Sequence, residues 1–278
     1  MANPAQNPLF KHFRQPAIYL KLPSLGAYWP DSAIDMPATG EIPIYPMTVR
    51  DEITLKTPDA LMNGEGMATT IQSCCPSIKD PWKIPACDLD AILIGIRLAS
   101  YGSDMDIEST CPDCREKNDN VVNLRVLLDS LPPPIYDSLH IDDLTFTLKP
   151  QAFETMNNAS IMLFEQEKLI DTITNSTISD EEKKKQFNQI MPKLTDLNVM
   201  SLVNSIESIT LDDGTAVVEQ KYIKEFIDNC DRKIFVAVKE KIENNYKANK
   251  LPPLSIACEH CNKNYSTDLN FEASSFFV

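Results

Sequence analysis

Two short cysteine pairs constrain this chain more than any other feature: Cys111-Pro112-Asp113-Cys114 and Cys258-Glu259-His260-Cys261. Each has C-x-x-C spacing. Together they offer four soft thiolates, the set that a tetrahedral zinc takes. Strand-like sequence flanks both pairs, at residues 107–110 and 121–126 and again at 254–257 and 265–271. Two hairpins clamping one ion form a zinc ribbon. With Cys111, Cys114, Cys258 and Cys261 filling every position, the ion keeps no open site and its role is structural. Residues 115–257 then become an insertion, which is tolerated because closure entropy grows only with the logarithm of loop length. A redox C-x-x-C sits at a helix N-terminus, and no helix is expected after either pair. His260 reads as a solvent-facing knuckle residue. Cys74, Cys75, Cys87 and Cys230 fall on helical or apolar segments and read as free buried thiols.

Proline divides the rest of the chain. Twelve of the 20 prolines precede residue 86, and after Pro150 only Pro192 interrupts the run to Pro252. Proline fixes φ and removes a donor, so the first part cannot be long helices. Residues 1–50 read as an extended arm with short strands at 17–22 and 41–49. Residues 58–74 read as a helix opened by Thr57 and Pro58. Residues 87–101 read as a core helix capped by Asp88, with Leu89, Ile92, Leu93, Ile96 and Ala99 at three- and four-residue spacing. Residues 120–128 read as a strand, and 139–148 as a hairpin turning at Asp142-Asp143. Beyond Pro150 the pattern predicts helices over 150–175, from Ser179 to about Met191, over 196–209, 220–229 and 231–248. A hairpin turns around Asp212-Asp213-Gly214. The expected fold class is α+β: a β-rich part with a two-knuckle zinc ribbon and an inserted helical domain. The expected divisions are an arm (1–50), a mixed part with the first knuckle (51–149), a helical insertion (150–250), and the second knuckle with closing strands (251–278).

Charge narrows the function. Asp and Glu number 40 against 26 Lys and Arg, a net charge of −14. Nucleic-acid binding needs a positive footprint, which this balance and the acidic knuckle surroundings oppose. Anionic membranes are disfavoured for the same reason. No apolar run approaches the ~20 residues of a membrane helix, and residues 1–15 lack an apolar signal core, so a soluble intracellular product is expected. Seven glycines and no phosphate-loop or nucleophile-elbow motif leave no enzyme signature. The three histidines, His12, His140 and His260, offer no nucleophile–base pair, and no catalytic residue is proposed. Zinc-ribbon nucleic-acid binding remains an alternative that rests on the ribbon alone.

Several segments carry a resemblance. They include Pro46-Met47-Thr48-Val49-Arg50-Asp51-Glu52, Thr57-Pro58-Asp59-Ala60-Leu61-Met62-Asn63-Gly64 and Ser73-Cys74-Cys75-Pro76-Ser77-Ile78-Lys79-Asp80-Pro81. Asp88-Leu89-Asp90-Ala91, Ile96-Arg97-Leu98-Ala99-Ser100-Tyr101-Gly102 and the first cysteine pair carry it further. This pattern resembles the T4-type baseplate hub family of contractile-tailed bacteriophages, whose members are hub subunits or hub assembly chaperones. The resemblance implies a structural component of the tail baseplate hub, made in the host cytoplasm and built into the virion. The implied partners are other hub, tail tube or tape-measure proteins, in several copies of a symmetric assembly, with no nucleic acid and no membrane. The alternative role is a transient chaperone absent from the finished particle. The large apolar residues of the arm (Leu9, Phe10, Phe13, Ile18, Tyr19, Leu20, Tyr28 and Trp29) are expected to dock on another baseplate protein, because they are costly to leave in water.

Overall fold

The computed structural model describes residues 7–57, 63–176, 178–269 and 276–277. The chain divides into two compact units: residues 1–81, 88–131 and 251–278 in one, residues 82–87 and 132–250 in the other. Among the described residues no helix is long and apolar enough to cross a membrane.

In the first unit, strand β1 (Ile18–Lys21) pairs antiparallel with β2 (Glu41–Ile44). Helices α1 (Val49–Leu55), α2 (Glu65–Cys74) and α3 (Ala86–Tyr101) follow. Thr48 and Asp51 form a reciprocal capping box that starts α1. The helix expected from residue 58 begins at Glu65; residues 58–62 lie outside the described residues.

The leader is not a free arm. Leu20, Leu22, Trp29, Ile42 and Ile44 are buried within this chain. Residues 33–35 run beside 77–79, with the Lys79 N–H donating to the Ala33 carbonyl (2.8 Å) and Ile34 bridging Ile78. Two polar anchors hold the leader down. The Arg14 guanidinium donates to the carbonyls of Pro46 (2.6 Å) and Ser73 (2.8 Å) and lies 3.4 Å from Asp51. Asp88 does not cap α3. Its fully buried carboxylate accepts from the Ser24 N–H (2.8 Å), the Ser24 hydroxyl and the Trp29 indole N–H (2.6 Å). Spacing alone suggests a cap, but three donors from the leader claim the side chain first.

Also in the first unit, hairpin β3 (Asp104–Thr110) and β4 (Lys117–Asn123) carries the first cysteine pair. Hairpin β9 (Leu254–Ala257) and β10 (Asn264–Thr267) carries the second. The strand expected over 120–128 stops at Asn123, whose side chain accepts from the N–H groups of Arg125 and Val126 and starts helix α4 (Leu124–Asp129).

The second unit is built on a four-stranded antiparallel sheet in the order β5 (Leu139–Ile141), β6 (Leu144–Leu148), β7 (Ile206–Leu211), β8 (Ala216–Val217). The sheet therefore joins residues on both sides of Pro150, where composition alone draws a boundary. Segment 82–87 belongs to this unit. The Phe153 N–H donates to the Ile84 carbonyl (2.8 Å), and Trp82 stacks on Phe153 with ring centroids 5.2 Å apart. Helices α5 (Phe153–Asn175), α6 (Asp180–Asn204), α7 (Gln220–Asn229) and α8 (Arg232–Ala248) complete it. Phe146, Leu148, Val203, Ile206, Ile223 and Val238 form its core with their neighbours.

Sequence predicts two helices where α6 is one. Pro192 lies inside α6. The carbonyl that loses its partner belongs to Asn188, which is exposed to water, so packing along α5 carries the helix through. The helix ends at Asn204, and the residues expected to extend it to Ile209 instead form β7. Gly214, at φ +85°, turns the hairpin that follows.

Two outcomes follow. Pro192→Ala restores an exposed helix donor and raises the thermal midpoint of the second unit, by up to about 3 kcal/mol of stability. Asp88→Ala leaves three buried donors unpaired and destabilises the first unit by about 3 kcal/mol or more, read by urea titration. Burial holds the Asp88 carboxyl above its ordinary 3.8 despite the hydrogen bonds from Ser24 and Trp29. The native state therefore binds the proton more tightly than the unfolded chain. This group's contribution is full below pH 3.8 and falls as pH rises through the folded-state value. Asp88→Ala flattens that segment of the stability–pH curve.

Candidate metal centre

The two hairpins present matching knuckles. In the first, the Cys111 N–H donates to the Glu116 carbonyl (3.0 Å) and the Arg115 N–H to the Cys111 carbonyl (2.9 Å). In the second, the Cys258 N–H donates to Lys263 (2.9 Å) and the Asn262 N–H to Cys258 (2.9 Å). The residue after each second cysteine is left-handed: Arg115 at φ +63° and Asn262 at φ +56°. This conformation curls each backbone so that both sulfurs of a pair point the same way. Asn takes it readily; Arg does so at a cost.

Side chains of the hairpins join them. The Asn118 carbonyl oxygen, on a residue only 2% exposed, accepts from the Glu259 N–H (2.9 Å). Lys263 pairs with Asp113 at 2.7 Å. The hydroxyls of Ser109 and Tyr265 lie 2.6 Å apart. Ile256 and Tyr265, with Ile107 beside them, form an apolar floor under the cysteines. None of these cross-links is visible in the spacing of the cysteines. Asn118 and Tyr265 carry no sequence signal that would single them out.

The structure brings together all four cysteines singled out from the sequence. Their sulfurs lie within 4.8 Å of one another, with Cys111–Cys261 at 3.8 Å and Cys114–Cys258 at 3.6 Å. A tetrahedral zinc at about 2.3 Å from each sulfur sets the sulfurs about 3.8 Å apart. The cluster is compatible with zinc in ligand type, number and spacing.

Electrostatics point the same way. Desolvation opposes a Cys258 thiolate, but the N–H groups of Cys261 and His260 and the thiols of Cys114 and Cys261 outweigh it and pull Cys258 down to about 6. For Cys114 the Glu116 N–H favours the thiolate. Desolvation and the hydrogen bonds with Cys258, Cys111 and Cys261 override it and push Cys114 up to about 12. One charge forms readily and resists the next, as coupled sites do. A divalent cation removes that penalty.

The other thiols differ in kind. Burial pushes Cys74 up to about 12 and Cys75 well above its ordinary value. Cys87 is buried and Cys230 half-buried. These four take no part in the cluster.

The family model of the T4 bacteriophage base plate protein matches residues 22–278. The chain belongs to this family. No curated protein and no solved structure matches it. Family membership assigns it a structural role in the phage tail baseplate, in assembly with other tail proteins, and the match spans segments of both units and both cysteine pairs.

The left-handed Arg115 can be tested directly. Arg115→Val forces a β-branched side chain into this conformation and lowers the thermal midpoint of the first unit. Arg115→Gly leaves it unchanged or raises it, by up to about 1 kcal/mol.

Proposed function

We propose that this chain is a structural subunit of the baseplate hub that acts through protein–protein contacts, with one structural zinc held by Cys111, Cys114, Cys258 and Cys261. The observation that carries the metal reading is the convergence of four cysteine sulfurs from two matched knuckles to within 4.8 Å. Support for the hub reading is the family match over residues 22–278, taken with the residue patterns of 44–114. A filled tetrahedral site supplies no bound water and no Lewis-acid position for substrate, so the ion's contribution is folding free energy. The zinc would tie β3–β4 to β9–β10 and so fasten the returning chain at 251–267 to the outgoing one.

The proposed partners are hub, tail tube or tape-measure proteins. The leader still offers contacts, but fewer than its composition suggests. Leu20, Leu22 and Trp29 belong to the chain's own core, whereas Leu9, Phe13 and Tyr19 remain exposed. The docking role therefore narrows to those outer side chains.

Elemental analysis of protein purified without added metal should give one zinc per chain. Cys111→Ser should lose it together with much of the stability of the first unit. A metal-free native protein of undiminished stability would overturn the zinc reading. Mass spectrometry of purified particles should find the chain in the baseplate. Its absence from finished particles would favour the chaperone role over the hub subunit.

A further inference from the structure

The second unit contains a cavity of about 490 Å³ whose walls come from α6, α8, the start of α5 and the end of β6. Leu148, Met156, Val199, Leu202, Phe235 and Ile242 give it an apolar lining. Among the polar groups beside them, the buried Asn245 side-chain NH2 has no hydrogen-bond partner among the described residues, whereas Gln151, Ser201 and Ser205 are occupied with one another. The Gln151 amide donates to the Ser201 carbonyl (2.8 Å) and to the hydroxyls of Ser201 and Ser205 (both 2.9 Å). Four charged residues also line the cavity: Lys149, Lys239, Lys247 and Glu243. Lys239 and Glu243 neutralise each other at 3.6 Å. Among the described residues no ion pair holds Lys149 or Lys247. Two lysines of the lining are thus left without an ion-pair partner, in a chain whose net charge is −14.

We infer that this cavity is the docking site for a segment of a neighbouring protein that presents bulky apolar side chains flanked by Asp or Glu. Size and lining suit an apolar anchor, since binding cavities run to about 300–1,000 Å³ and are mostly apolar. The charge sets the flanks. Lys149 and Lys247 attract carboxylates and repel basic segments, which supplies orientation and selectivity against partners of the wrong sign. A protein segment is favoured over a small amphiphile because the chain belongs to a family that assembles with other tail proteins. The site is independent of the cysteine cluster and goes beyond the hub reading, so loss of zinc leaves this inference standing.

The test uses the full chain and three probes in fluorescence anisotropy or competition. The first is a synthetic peptide with a Leu-Phe-Leu core flanked by glutamates, the second the same core flanked by lysines, and the third dodecanoate. The glutamate-flanked peptide is expected to bind saturably and at least about tenfold more tightly than its lysine twin, as steering by two opposed charges predicts. The double variant Lys149→Glu, Lys247→Glu should reverse that preference, and Val199→Trp, which fills the cavity, should abolish binding of both peptides. If Val199→Trp fails to fold, the double charge variant alone carries the test. Equal binding of the two peptides, unchanged binding in the double variant, or binding of dodecanoate alone would each overturn the inference. So would a concentration-dependent dimer in sedimentation that the charge variant dissolves, which would assign the cavity to a second copy of this chain.

Discussion

The meeting of two hairpins separated by nearly half the chain is the constraint on which the first unit rests. The chain leaves that unit after Leu131 and returns at Leu251. What fastens its return is a compact set of contacts: four sulfurs within 4.8 Å, the buried Asn118–Glu259 hydrogen bond, the Lys263–Asp113 pair and the Ser109–Tyr265 hydroxyls. Each hairpin alone is two-stranded, and two-stranded sheets are marginal in water. Joined, they share an apolar floor of Ile107, Ile256 and Tyr265. A metal bound only by the folded arrangement would add its binding free energy to that of folding, which suits an element that must close a very long loop.

Two polar side chains, half-buried Arg14 and fully buried Asp88, do comparable work in the leader of the same unit. A proline-rich leader has little regular structure with which to satisfy its backbone. Arg14 and Asp88 compensate by reaching across the fold. Arg14 supplies donors to carbonyls that no strand pairs, and Asp88 accepts donors from a turn that no helix caps. Such groups are costly to bury singly and favourable only when fully partnered. They therefore specify one path for the leader over the body, whose inward side chains Leu20, Leu22, Trp29, Ile42 and Ile44 join the core.

The second unit follows a different logic. Its stability comes from an apolar core between a four-stranded sheet and amphipathic helices, with Phe146 wholly buried at the centre. Polar clamps contribute less, and the packing leaves a sizeable apolar cavity beside the core.

Much of this was legible from one-dimensional pattern. The cysteine spacing pointed to the four thiols that converge. The helical periodicity located α3, α7 and α8, and the Asp-Asp turns located two hairpins. These signals are local: period, cap and turn chemistry act within a few residues and need no knowledge of what lies opposite. Tertiary structure decided the rest. It carried α6 through Pro192, ended the expected strand 120–128 at Asn123, turned Asp88 from a cap into an acceptor, drew Leu20, Leu22 and Trp29 inward, and placed β5 and β6 in one sheet with β7. In each case a group had a choice of partners. Which partner won depended on residues distant in sequence, because the free energy of a buried contact is set by everything that surrounds it.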